Sequence, residues 1–282
     1  MPPISRSIEI YSSKELDTFA YQITQIMERK VKAFEHLLKI MDDLRSECPW
    51  DKKQTLETLR YLTIEEVYEL SDAILENDLE EIKKELGDLM MHIAFYAKIG
   101  SEKKAFDIAD VIEGINEKLI YRHPHIYSDV KVVDADDVSQ NWEQLKMKEG
   151  RDSVLEGVPQ SLPAMVKAYR MQEKVRGVGF DWEKPEQVWE KVQEELNEFH
   201  HEVSVSGDKK KMEAEFGDVL FSMINYARFL DINPEDALER TNKKFKKRFQ
   251  YLEKQTKEAG KNLHEMSLTE MDVYWEEAKK LD

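Results

Sequence analysis

The sequence predicts an all-α protein built from two tandem helical repeats, and three observations carry that expectation. Apolar residues recur at helical spacing along most of the chain. Glycine and proline are sparse, 10 and 8 of 282 residues, and β-branched runs are scarce. An acidic pattern, E-x-x-E followed by E-x-x-D, occurs twice. It is carried by Glu66, Glu69, Glu85 and Asp88, and again by Glu195, Glu198, Glu215 and Asp218. Fifteen residues separate the pairs in the first copy and sixteen in the second.

Residues 1–16 read as a weakly ordered leader, 17–149 as the first helical domain, 150–163 as a linker and 164–282 as the second helical domain. A helix over 17–47 is predicted by Ile23, Ile26, Met27, Val31, Phe34, Leu37, Leu38 and Met41. Cys48-Pro49-Trp50-Asp51 stops it, because proline cannot continue a helix. Helices over 55–76, 78–99 and 107–121 follow, with Asn77-Asp78 dividing the first two and Asp107 starting the third. His123-Pro124-His125 reads as a structural turn, 126–136 as an irregular connection and 137–148 as a short helix. Gly157, Pro159 and Pro163 mark the linker. Helices over 162–175, 185–203, 208–231, 234–257 and 269–280 then follow, with a Gly177-Val178-Gly179-Phe180-Asp181-Trp182 loop between the first two. Asn233-Pro234-Glu235-Asp236 is a strong start signal: a capping residue, proline at the first position and acids in the first turn.

The spacing of three places both acids of each pair on one helical face, and the short break between pairs implies adjacent antiparallel helices. Four carboxylates then converge, which is strongly unfavourable without a counter-charge. Hard divalent cations such as Mg²⁺ prefer such oxygen ligands. Both copies place a glycine, Gly87 or Gly217, between the last two acids, where a helix-weakening residue suggests close helix approach. Other features repeat as well. Pro49-Trp50-Asp51 is echoed by Phe180-Asp181-Trp182, and Lys118-x3-Arg122 by Lys244-x3-Arg248. Trp142-Glu143-x2-Lys146 is echoed by Trp275-Glu276-x2-Lys279. Duplication accounts for these matches, and the recurring Lys-x3-Arg becomes a candidate phosphate clamp.

Several chemistries are excluded. No P-loop, dinucleotide-binding glycine motif or nucleophile elbow is present. The clusters hold only oxygen donors, which disfavours zinc, and the second pair ends in Asp where a di-iron bundle would use His. A net charge of −16 argues against a nucleic-acid surface, although metals can reverse the local sign for phosphate ligands. The single cysteine, Cys48, and the lack of a long apolar run predict a cytoplasmic protein with no membrane partner. Oxygen ligands beside cations suit Mg²⁺-dependent phosphoryl chemistry.

From about Phe34 onward the chain resembles the MazG family of the all-α NTP pyrophosphatase superfamily, in its two-domain form. The resemblance lies in Cys48-Pro49-Trp50-Asp51, Glu85-Leu86-Gly87-Asp88, Arg122-His123-Pro124-His125, Gly179-Phe180-Asp181-Trp182, Phe216-Gly217-Asp218 and Lys244-Phe245-x2-Arg248-Phe249. It implies hydrolysis of NTPs and dNTPs to the monophosphate and pyrophosphate, with Mg²⁺ (Mn²⁺ as substitute) and broad base specificity. It further implies a homodimer in which four-helix-type cores are completed by packing. Carried onto this sequence, Glu195, Glu198, Glu215 and Asp218 are metal ligands, with Glu66, Glu69, Glu85 and Asp88 as their first-repeat equivalents. Glu194 is either a further ligand or a base orienting water. Lys244 and Arg248 contact phosphates, as do Lys118 and Arg122 in the first repeat. Lys191 and Lys211 flank the acids, and Trp275 is either a base platform or an ordinary buried aromatic. A narrower house-cleaning pyrophosphatase and a non-catalytic helical regulator are the rival functions. The two repeats differ beside the acids, where Leu62 faces Lys191 and Glu81 faces Lys211, so most turnover is expected from the second.

Overall fold

The computed structural model describes residues 13–132, 138, 145 and 152–281. Among them lie ten helices and no strand: α1 (Ser13–Glu47), α2 (Leu56–Glu76), α3 (Leu79–Glu102), α4 (Ile108–Arg122), the single turn α5 (Pro124–Tyr127), α6 (Ala164–Arg176), α7 (Pro185–His201), α8 (Lys209–Phe229), α9 (Pro234–Glu258) and α10 (Leu268–Lys279). The helix expected over 137–148, with Trp142 and Lys146, lies outside the described residues apart from two positions. By its internal contacts the chain divides into two compact units that meet between Leu119 and Ile120. None of the described helices is long and apolar enough to cross a membrane.

In the first unit, α2 packs along α3, and α1 along α3. Thr55 and Thr58 start α2 by exchanging backbone-to-hydroxyl bonds, 3.2 Å from Thr58 N–H and 2.8 Å from Thr55 N–H. The helix ends where Asn77 turns left-handed, φ 55°. Asp78 then caps α3 by accepting from the N–H groups of Glu80 and Glu81. The core is small: Met41, Leu59, Phe95 and Ile99, backed by Leu56, Leu62, Met91 and Tyr96. The stripe expected on α1 is only partly used. Met41 is buried, Phe34, Leu37 and Leu38 are half-buried, and Ile26, Met27 and Val31 stay exposed because α1 extends beyond its partner.

In the second unit, α7 packs along α8, α9 along α10, and α6 against α8. Val188 and Val192 of α7 are its best-buried aliphatic residues, with Val219 and Ile224 of α8, Leu252 of α9 and Ala278 of α10 around them. Asn233 caps α9 through the N–H groups of Glu235 and Asp236, with Pro234 at the first position as its sequence signal predicts. The α7–α8 link holds the one irregularity that positions the site. Glu202–Ser206 forms a π turn in which Gly207 N–H donates to the Glu202 carbonyl at 3.1 Å. A π turn accommodates an inserted residue within a helix, and this repeat carries one more residue than the first. Gly207 at φ 63° then releases the chain to Asp208, which caps α8.

The close helix approach expected at Gly87 and Gly217 is not made: a methyl group there would meet nothing within 4 Å. Such an approach occurs instead at Gly100, where an added Cβ would lie 2.7 Å from the Phe106 ring.

The repeated Trp–Asp turns are tied down by different arginines. Arg45 donates to the Gln54 carbonyl at 3.0 Å, to the Asp51 carbonyl and to Glu102. In the second unit Arg228, buried on α8, grips Asp181 through two bonds of 2.8 and 2.5 Å and donates to Asn225 Oδ1. Breaking a buried pair leaves an uncompensated charge, so Asp181→Ala should cost the second unit about 3 kcal/mol. Urea unfolding of the variant checks this, and an unchanged midpoint would contradict it.

Candidate metal centre

Each hairpin gathers its acids as the spacing requires. On α2 and α3, Glu66, Glu85 and Asp88 offer oxygens that all lie within 4.8 Å of one another. On α7 and α8, Glu195, Glu198 and Glu215 do the same. The fourth acids, Glu69 and Asp218, fall outside these triads but stay near enough to act electrostatically on Glu85 and Glu215.

The electrostatics are those of crowded like charges. Desolvation pushes the Glu215 carboxyl above its ordinary value, and the charges of Glu198, Asp218, Glu195 and Glu202 push it the same way. Glu85 is raised by desolvation and then by Glu69, Asp88, Glu66 and Glu81. Glu66 is raised by desolvation and by Asp88, Glu69 and Glu65, while a Glu66–Glu85 side-chain bond pulls the other way. Glu85 Oε2 is buried with no hydrogen-bond partner among the described residues. Clustered oxygen donors, raised carboxyls and an orphaned oxygen together fit a hard divalent cation.

Lys191 answers part of this charge in the second hairpin. Its ammonium donates to Glu194 Oε1 at 2.9 Å and lies 2.7 Å from Glu195 Oε1. The bonds to Glu194 and Glu195 hold it protonated well above the ordinary lysine range. Leu62 stands at the matching place in the first hairpin, so no cation answers there. Lys211 is exposed at the start of α8, whereas Glu81 in the first repeat pairs with Lys84.

The other predicted site residues sit on different helices. Lys244 is exposed on α9, while Arg248, one turn on, lies 5.8 Å over the Trp275 ring. Trp275 is half-buried, with Phe245 5.2 Å away, so these residues form a cluster of the α9–α10 hairpin. Lys118 is exposed on α4 and Arg122 is buried at its end. His123 and His125 flank the turn into α5, with ring centroids 5.6 Å apart.

Two features went unread in the sequence. Glu202, seven after Glu195, adds a fifth carboxylate beside Glu215, and its Oε2 is buried without a partner among the described residues. The i+4 spacing from Glu198 was its available signal. In the first hairpin, Thr63 Oγ1 lies 2.8 Å from His92 Nδ1 and 2.6 Å from Tyr96 Oη. His92 is buried, and desolvation lowers its pKa against the pull of Asp88. Thr63 lies three before Glu66, and His92 four after Asp88, so the network adjoins the acids on the same faces.

Helices alone, paired into hairpins that each enclose an E-x-x-E/E-x-x-D cluster, define an all-α protein of the duplicated acid-hairpin class. The MazG nucleotide pyrophosphohydrolase domain matches residues 54–127 and 183–252, one segment over each hairpin. The chain is 42% identical over 251 residues to the nucleoside triphosphate pyrophosphohydrolase/pyrophosphatase MazG of Thermotoga maritima, covering 87% of this chain and 95% of that protein. It is 38% identical over 254 residues to the nucleoside triphosphate pyrophosphohydrolase of Escherichia coli K12, covering 87% and 97%. It is also 46% identical over 267 residues to the uncharacterized protein YabN of Bacillus subtilis, covering 92% of this chain and 55% of that longer protein. The chain belongs to the MazG nucleotide pyrophosphohydrolase family, and it is a hydrolase.

The raised carboxyls set a pH dependence. A carboxyl whose folded pKa exceeds its unfolded value favours the fold at acid pH, and that contribution is lost as pH rises through the folded value. Glu215→Gln should therefore raise the melting temperature of metal-free protein at pH 7. The gain should fade as pH approaches the ordinary carboxylate value of 4.5. Thermal scans in EDTA across that range measure it, and a lower melting temperature at pH 7 would contradict it.

Proposed function

We propose that the protein hydrolyses nucleoside and deoxynucleoside triphosphates between the α- and β-phosphates, giving the monophosphate and pyrophosphate. The observation that carries this reading is the carboxylate cluster on each hairpin, within a chain of this family. Glu195, Glu198, Glu215 and Asp218 would hold Mg²⁺, or Mn²⁺ in its place. Glu66, Glu69, Glu85 and Asp88 would do so in the first repeat. When bound, the cation lowers the pKa of a coordinated water and draws charge from phosphate oxygens. Glu194, held by Lys191 at 2.9 Å, is placed to accept a proton from an attacking water or to orient it. Lys191 stays cationic and can exchange its carboxylate partners for phosphate oxygens, with Lys211, Lys244 and Arg248 neutralising charge on the leaving pyrophosphate. Trp275 serves as the platform under the Arg248 guanidinium. Lys118 and Arg122 are the corresponding phosphate residues of the first repeat.

Broad base specificity, a nucleotide-pool house-cleaning role and a cytoplasmic location complete the reading. A homodimer is also part of it. Tyr61, Val67 and Tyr68 of α2, Leu86 and Met90 of α3, Trp189 and Leu196 of α7, and Phe216 and Leu220 of α8 are all exposed. Apolar faces on paired helices are normally covered, and a second copy of this chain can supply matching faces.

Phosphorus NMR of the products tests the bond cleaved: pyrophosphate with NMP is expected, and orthophosphate with NDP appearing first would contradict it. The two repeats are separated by paired substitutions, Glu69→Gln with Glu85→Gln against Glu198→Gln with Glu215→Gln. The second pair should remove most turnover, because only that hairpin has Lys191 and Lys211. Each exposed cation–phosphate contact corresponds to roughly 0.5–1.5 kcal/mol, a few-fold to tenfold in affinity. Greater loss from the first pair, with helicity and assembly intact, would reverse the assignment.

A further inference from the structure

We propose that a cavity of the second unit, walled by α6, the Phe180 loop and α8, binds the nucleobase of the triphosphate and reads a base N–H through Gln172. This rests on the reading of the α7–α8 hairpin as the hydrolytic site. The cavity has a volume of about 530 Å³, inside the range of about 300–1,000 Å³ typical of small-molecule pockets. Its lining is mostly apolar, with Met171 and Val175 from α6, Phe180 from the loop and Phe221 from α8.

Gln172 lines the same cavity and is only 4% exposed. Its Nε2 donates to the Phe221 carbonyl at 2.9 Å, and its Oε1 has no hydrogen-bond partner among the described residues. The bond to Phe221 fixes the amide's orientation, because the flipped amide would set oxygen against oxygen. An orphaned buried acceptor is costly, and a ligand that donates an N–H would satisfy it. The charged members of the lining are already matched: Arg228 is held by both oxygens of Asp181 and by Asn225 Oδ1. The cavity therefore has no free cation for phosphate, and suits a flat, weakly polar ring. Phe180, 79% exposed, offers an aromatic face for stacking at its mouth.

Placement agrees with that occupant. Phe221 and Asn225 follow Asp218 by three and seven residues on one face of α8, so they lie about 4.5 and 10.5 Å further along its axis. That is the separation between the reacting phosphates and the base of one nucleotide. Trp275, the alternative platform, is already engaged by Phe245 and Arg248.

The test compares ATP with purine riboside 5′-triphosphate, whose base carries no N–H, on the full chain with Mg²⁺. Wild type should favour ATP about tenfold in kcat/KM, since one hydrogen bond to a buried acceptor separates the two. Gln172→Leu, similar in volume, should bring that ratio close to one. Phe180→Ala removes an exposed ring and should lower the kcat/KM for ATP relative to tripolyphosphate, which has no base. A ratio near one in wild type with ATP hydrolysis intact overturns the pocket alone. So does a ratio that survives Gln172→Leu with helicity retained, or one that collapses in Trp275→Ala instead. Failure of wild type to release pyrophosphate from ATP or tripolyphosphate overturns the functional reading, and the pocket with it.

Discussion

Mutual repulsion among carboxylates held between two paired helices is the constraint on which the rest of this structure depends. The hairpins would pack more stably with apolar or neutral residues at these positions. Instead the chain places four acids on facing helices in each repeat, and the small cores beneath them must hold the hairpins closed against that charge. Caps at Thr55, Asp78 and Asp208 and the arginine-held Trp–Asp turns supply part of the required rigidity. Raised carboxyls and orphaned oxygens record the strain that remains, and they make a divalent cation the natural complement of the site.

The two repeats handle the same problem differently. In the second, Lys191 sits among the acids and an added π turn brings Glu202 to Glu215. In the first, the matching positions are Leu62 and Ala73, and a buried Thr63–His92–Tyr96 network occupies the flank. Ser222 replaces His92 in the second repeat and bonds only its own helix, through the Val219 carbonyl. One hairpin is thus arranged around exchangeable charge and the other around a fixed neutral network. π turns are frequent at functional sites because they re-aim side chains without breaking the helix, and this one lies directly after the acids of α7.

Much of this was legible in the sequence because it depends on local periodicity. The acid pairs, the Asn77-Asp78 break and the Asn233-Pro234 start all follow from residue type and spacing. What was not legible depends on tertiary partners. Gly87 and Gly217 look like close-approach glycines, yet their faces are open, while Gly100 is the position pressed against Phe106. The α1 stripe reads as a full core face, but only its last turns meet a partner. The π turn was visible only as one extra residue between acid pairs, which spacing alone cannot distinguish from a longer loop. Gln172 carries no motif at all. Its importance comes from burial beside a cavity, which periodicity does not report.

The central claim is that these acid clusters are built to be neutralised by a bound divalent cation. Thermal unfolding of the metal-free protein, titrated with MgCl₂ and with NaCl at matched ionic strength, tests it most directly. Binding to the folded state alone must stabilise by mass action, so Mg²⁺ should raise the melting temperature well beyond NaCl. That excess should shrink when Glu195 and Glu215 are replaced by Gln. Coincident curves for the two salts in the wild-type protein would contradict the account.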